Sequence, residues 1–254
     1  MGPISALWVC AHLCLELFCG EAGLTASLKR HGLTVLPPWD IQLGSCFDLL
    51  VTANQRRLFR LLSTGHVLLV WLGTPCATWS LARRFDGGPP PLRDSVDVAS
   101  AAPWISSEWD LMRLKEANLL ADLTCKIIMM ITALHGFFVV ENPYYSKLWK
   151  YPPIINALTQ TRAAIVHVTF CRYRTPWQKP TKLAGTLPGL KSLECFCRGR
   201  GGLCEYTGLA HIPLVGKTAD GRWQTRVAEP YPTGLCDDIA NLVLGCAHLE
   251  RSRR

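Results

Sequence analysis

The sequence predicts an α/β fold, a largely buried sheet with helices on both faces, and three observations predict it. Two short, wholly apolar runs, 67–72 and 137–140, read as strands covered on both sides. A long stretch of helical spacing, 107–134, lies between them. Each apolar run also stops at residues that carry chemistry. Gly73-Thr74-Pro75-Cys76 follows the first and Glu141-Asn142-Pro143 the second, as when strands end at the lip of an open sheet, where the ligand crevice lies.

Taken in order, an apolar strand ending near Phe18 runs into Cys19-Gly20-Glu21-Ala22-Gly23 and a short helix over 25–31 that stops at Gly32. This is the opening β-α half of a nucleotide-binding unit, in which Gly20 and Gly23 let the backbone approach a ligand. A second strand, 33–36, leads through Pro37, Pro38 and Trp39 to Asp40, the position at which such folds hydrogen-bond a ribose diol. After Phe47-Asp48-Leu49, a helix over 54–62 carries Arg56, Arg57 and Arg60 on a solvated face and returns the chain to the 67–72 strand. Cys76, just past that strand, faces substrate by its position, whereas an average cysteine is buried structure.

The stretch 81–105 is too long for an ordinary connection, so it is either disordered or a working lid. Arg83, Arg84 and Arg93, beside flexible glycines, suit phosphate contacts there. Ser107 with Asp110 caps the long helix, whose expected core face is Trp109, Met112, Leu119, Leu123, Ile127 and Met130, with Gly136 as its stop. Glu141, directly after a buried strand, is costly unless it is paired or at a site. A final helix over 234–249 closes the fold.

Composition sets the bounds. The 254 residues suit one large domain with a small appendage, and 27 Lys+Arg against 19 Asp+Glu suit a polyanionic partner as well as a generically basic protein. Twelve cysteines scattered through strand-like and helical segments point to a reduced intracellular chain rather than a disulfide scaffold. The apolar stretch 4–18 contains His12 and Glu16 and lacks a basic leader, which argues against a signal peptide, and no run reaches membrane-spanning length.

In order and spacing, Phe18-Cys-Gly-Glu-Ala-Gly23, Thr74-Pro-Cys76, Glu141-Asn-Pro143 and Cys171-Arg-Tyr-Arg174 resemble the cytosine-5 DNA methyltransferases over roughly residues 15–180. Departures include Ala77 where the family has Gln, Ala22 for a loop glycine, Pro143 for Val, and an arginine motif without its leading Gln. The resemblance implies a Rossmann-like S-adenosylmethionine-dependent sheet acting on cytosine C5 in DNA. By it, Cys76 is the nucleophile at C6, Glu141 works at N3, Asn142 braces the site, and Arg172 and Arg174 orient the base. Phe18, Gly20, Gly23 and Pro75 would line the cofactor, Asp40 would take its ribose and Asp48 its adenine. Asn241 would either touch the cofactor or pack. The target base must leave the helix to reach the thiol, a task for the basic lid. The same chemistry permits RNA as substrate, and a catalytically impaired nucleic-acid-binding module is the rival from another class.

The expected organisation is a catalytic core over 1–180, a small cysteine-containing target-recognition insertion over 181–225, and a closing segment over 226–254, in a soluble monomer that meets DNA. Within the insertion, Cys195, Cys197, Cys204 and His211 are a sufficient set for tetrahedral zinc, although the single residue between the first two is tighter than usual and reduced cysteines need no metal.

Overall fold

Both apolar runs form neighbouring strands of one sheet in the computed structural model, which describes residues 12–83 and 89–252. The helices and strands, in order, are β1 (Leu13–Leu17), α1 (Gly23–Arg30), β2 (Thr34–Val35), α2 (Thr52–Leu62), β3 (Val67–Leu72), α3 (Glu108–Ala133) and β4 (Phe137–Pro143). Then come α4 (Pro152–Gln160), β5 (Ala164–Thr169), β6 (Pro180–Gly185), α5 (Gln224–Val227) and α6 (Thr233–Ser252). Among the described residues the sheet has six strands in the order β2-β1-β3-β4-β6-β5. β1 to β4 run parallel, and β6 runs antiparallel to both β4 and β5.

The period-two alternation of the strands assigns the two faces. Leu15, Leu17, Val70, Leu72, Phe138 and Val140 pack with α2, α3 and α4, while Cys14, Leu69, Trp71, Val139, Val168 and Leu183 pack with α1 and α6. This is the doubly wound, Rossmann-like arrangement that the sequence predicts. From β1 the chain steps outward to β2 and then back across to β3. The order therefore reverses between β1 and β3, and the crevice outside the carboxyl ends of these strands is the natural ligand site.

Two expectations change. The buried stripe of α3 is Leu114, Ala117, Ala121, Leu123, Thr124, Ile127, Ile128 and Ile131, so Leu123 and Ile127 lie in the core as expected and Met130 packs against it, whereas Trp109, Met112 and Leu119 are exposed. A reading weighted toward large side chains finds Leu123 and Ile127 but misses the small residues Ala117, Ala121 and Thr124 that complete the stripe. The core also extends past residue 180: β6, placed by sequence in the insertion, is a central strand. Its 180–185 stretch alternates, with Thr181 and Leu183 fully buried, but shows no continuous apolar run. No helix among the described residues is long and apolar enough to cross a membrane.

Candidate active site

The loop after β1 is shaped by left-handed backbone. Phe18, Gly20 and Ala22 have φ of 56°, 51° and 53°, and holding two non-glycine residues there costs roughly 1 kcal/mol or more each. The end of β2 holds the loop in place. Asp40 Oδ2 accepts the Gly20 N–H at 2.9 Å, its Oδ1 accepts the Gln42 N–H at 2.9 Å, and the Trp39 carbonyl accepts the Phe18 N–H at 2.7 Å. Beneath the loop, Glu16 is fully buried on β1. Its Oε2 accepts the Thr25 N–H at 2.7 Å, its Oε1 has no partner, and burial pushes its pKa up to about 7.

The end of β3 touches this loop. A Cβ on Gly73 would meet the Phe18 carbonyl and the Tyr231 hydroxyl, each at 2.8 Å, so only glycine permits the approach. Beyond it, Thr74 is fixed twice. Its carbonyl accepts Asn142 Nδ2 at 2.6 Å, and its hydroxyl lies 3.0 Å from that of Thr124 on α3. A turn from the Trp79 N–H to the Cys76 carbonyl, 2.9 Å, completes the support of a half-buried Cys76.

Alternation on β4 sends Asn142 to the α3 side and Glu141 to the α6 side. Glu141 is buried and accepts the Tyr231 hydroxyl at 3.1 Å, and that hydroxyl in turn accepts Trp71 Nε1 at 3.1 Å. Burial raises the Glu141 pKa, opposed by the charge of Lys179 and the Tyr231 hydrogen bond. Burial, and then the Glu141 charge, push Cys76 up to about 11, again with Lys179 opposing. Lys179, whose Nζ donates to the carbonyls of Ala228 (2.6 Å) and Glu229 (3.2 Å), is pulled down by burial and held up by Glu141 and Cys76. Thiol, carboxyl and ammonium thus form one electrostatic unit at the ends of neighbouring strands.

Sequence reasoning missed Lys179, Glu16 and Tyr231. Lys179 is an isolated lysine before Pro180 with φ of 34°, and nothing in its local pattern marks it as a site cation. Glu16 lies inside an apolar strand, a conflict that is itself the signal. Arg172 and Arg174 are exposed on the turn after β5, with Arg172 5.4 Å from the Tyr206 ring centroid.

Arg93 is a correction. Far from meeting phosphate, it is 1 % exposed and lies 3.0 Å from the Trp79 ring centroid. Its guanidinium donates to Thr78 Oγ1 (2.8 Å), the Val98 carbonyl (2.7 Å) and Asn118 Oδ1 (2.7 Å). It pins the described part of the long connection to the Cys76 turn and to α3. Arg83 is partly exposed and donates to the Pro90 carbonyl at 2.8 Å, and Arg84 lies outside the described residues. Gly23 opens α1 beside Tyr231, and Pro75 is half-buried next to Cys76. Asp48 Oδ1 accepts the Leu50 N–H at 2.8 Å, and Asn241 is exposed on α6, so it does not serve as packing.

The cysteine cluster is also rearranged. Cys171, Cys197, Cys204 and His211 bring their ligand atoms within 4.8 Å of one another, and Cys195 is not among them. The reason is local. Residues 195–197 run extended beside β5, with the Cys195 N–H donating to the His167 carbonyl (2.9 Å) and the Cys197 N–H to Thr169 Oγ1 (3.1 Å). Neighbours two apart share a face in a flat strand, but here Cys195 packs with the α6-side core and Cys197 turns to Cys171 and Cys204.

No protein-family model matches this chain, and no curated protein does. Solved structures align with part of it. An Entamoeba histolytica methyltransferase, EhMeth, is 14% identical over 68% of this chain and 52% of its own, at a TM-score of 0.38. The S. pombe Dnmt2 methyltransferase is 11% identical over 68% and 48%, at 0.40, and a mutant of Spodoptera frugiperda DNMT2 is 15% identical over 70% and 51%, at 0.35. The chain spans about half the length of these structures.

Proposed function

We propose that this chain transfers a methyl group from S-adenosylmethionine to C5 of cytosine in DNA, with Cys76 as the nucleophile. One observation carries the reading: a thiol and a buried carboxyl stand at the ends of adjacent strands, at the sheet's switch point, against a left-handed glycine loop braced by an acid. The order of motifs in the sequence supports the same family.

The cradle fits the cofactor. Asp40 stands where a ribose diol is bound, the loop amides approach without side chains at Gly20, and the unpartnered Oε1 of buried Glu16 suits a cationic group. When bound, the cofactor supplies an electrophilic methyl carbon on a sulfonium. All else falls to the chain's own residues. Cys76 Sγ adds to C6 of the flipped-out cytosine as Glu141 gives its proton to N3, so that C5 becomes the electron-rich carbon of an enamine. After C5 takes the methyl group, a water molecule takes the C5 proton, the C–H electron pair forms the C5–C6 double bond as the Cys76 thiolate leaves, and N3 returns its proton to Glu141.

The electrostatics suit this division. Ionised Glu141 opposes a thiolate at Cys76, whereas protonated Glu141 does not, and the Lys179 ammonium favours the thiolate. A proton on Glu141 and a negative charge on Cys76 are therefore the compatible pair, the one the addition step requires. Asn142 holds the Thr74 carbonyl and so sets the path of the nucleophile turn.

Beyond Pro143, Tyr144 packs edge-on against Tyr145 with centroids 4.7 Å apart and lies 5.5 Å from Phe196, and Lys182 Nζ is 5.4 Å from its ring. Tyr145 is 61% exposed. Aromatic faces interleaved with cationic groups, on a chain of net charge +8, suit unstacked bases and phosphates. Tritiated methyl transfer to DNA and to RNA, run in parallel, tests the reading. Label recovered as 5-methylcytosine in DNA supports it. Label in RNA alone overturns the substrate, and cofactor binding without transfer to either overturns the activity.

A further inference from the structure

We propose that Cys171, Cys197, Cys204 and His211 bind one zinc ion, which fastens the segment after Glu194 to the end of β5. This does not rest on the methyl-transfer reading. The ligand atoms lie within 4.8 Å of one another, and Cys197 Sγ is 3.7 Å from His211 Nε2. A tetrahedral ion with Zn–S of about 2.3 Å and Zn–N of about 2.0 Å places its ligand atoms roughly 3.5–3.8 Å apart. The cluster needs only small side-chain shifts to close on an ion.

Three further features fit a metal better than a packed thiol cluster. The peptide N–H groups of Glu205 and Tyr206 donate to Cys197 Sγ and Cys204 Sγ, each at 3.4 Å. Such donors offset thiolate charge and orient the ligands. The three cysteines bury against one another as a cluster separate from both faces of the sheet. The segment they anchor has no core of its own, with Leu203, Leu209, Ile212 and Val215 between 50% and 77% exposed. A disulfide would pair two thiols and leave the third, and the imidazole, without a role.

Cys171 comes from the turn after β5 and the other ligands from the segment 197–211. An ion there ties the two together, and with them the turn that carries Arg172, stacked beside Tyr206.

The experiment measures zinc per chain by mass spectrometry of the metal in the purified 254-residue chain, and cobalt(II) absorption after chelation and reconstitution. About one zinc per chain and a thiolate-to-cobalt charge-transfer band are expected. Cys171→Ser should weaken retention against a competing chelator at least tenfold, and Cys195→Ser should leave it unchanged. Should Cys171→Ser not fold, the metal content and cobalt spectrum of the parent decide. Metal-free protein that gives no cobalt–thiolate band overturns the proposal, as does a disulfide found among these cysteines in the intact mass. Loss of metal from Cys195→Ser with retention by Cys171→Ser overturns the ligand set.

Discussion

Replacing Arg93 by leucine separates two accounts of the same residue. As a lid arginine on phosphate it would contribute to nucleic-acid affinity and little to stability. In the structure its guanidinium is buried and donates to Thr78, the Val98 carbonyl and Asn118 at 2.7–2.8 Å. Arg93→Leu strands two buried acceptors, Thr78 Oγ1 and the Val98 carbonyl, with the half-buried Asn118 Oδ1, and the hydrogen bonds lost come from a charged donor, each worth about 1.5–3 kcal/mol. Some of that is returned, because the buried cation has no carboxylate partner among these contacts and its desolvation penalty disappears with it. A net loss of about 2–4 kcal/mol follows, lowering Tm by roughly 5–15 °C at this chain length. Urea unfolding followed by tryptophan fluorescence reads it, with Arg83→Leu as control at under about 1 kcal/mol. The salt dependence of DNA binding should flatten by about one unit for Arg83→Leu and not for Arg93→Leu. An Arg93→Leu protein as stable as the parent, with a flattened salt slope, would refute the anchoring role.

Glu141→Gln should keep the fold and DNA affinity but cut turnover by roughly two to four decades, since an amide cannot give a proton to N3; near-parental single-turnover rates would remove Glu141 from the chemistry. Glu16 has its pKa raised by burial to about 7, so the folded state holds its proton more tightly and stability falls as pH rises from about 4.5 to 7. Glu16→Gln should therefore gain on the parent across that window and match it more closely below, in unfolding titrations over pH; a difference that does not change with pH contradicts the burial. Lys179→Met should raise the apparent pKa for alkylation of Cys76, followed by peptide mapping, because the ammonium is the charge that favours the thiolate. An unmoved profile breaks the link between Lys179 and the thiol.

What could be read from the sequence was periodicity and position. Val67–Leu72 is buried at every residue and forms the strand its apolar run predicts, and Ser107 caps α3 through its hydroxyl to the Asp110 N–H. Asp40 was singled out by strand order, and it is found holding the glycine loop. What could not be read depended on tertiary neighbours. Arginine in a Gly- and Pro-rich stretch looks solvated, and only the fold supplies Thr78, Val98 and Asn118 to bury Arg93. Cys195 and Cys197 are adjacent in the pattern but diverge in space, and Cys171, which precedes β6 in the chain, joins Cys197, which follows it. Lys179 is brought to Cys76 by the antiparallel placement of β6 beside β4, a pairing no local signal announces.

The central claim is that Cys76 forms a covalent bond to C6 of cytosine, and trapping tests it most directly. Duplex DNA carrying 5-fluorocytosine, incubated with the protein and S-adenosylmethionine, should yield a denaturation-resistant adduct, because fluorine cannot leave C5 as a proton does. The adduct should map to the Cys76 peptide, require the cofactor, and be absent from Cys76→Ser, which still binds the cofactor. An adduct that persists in Cys76→Ser, or no adduct from a parent protein that methylates ordinary cytosine, would contradict the account.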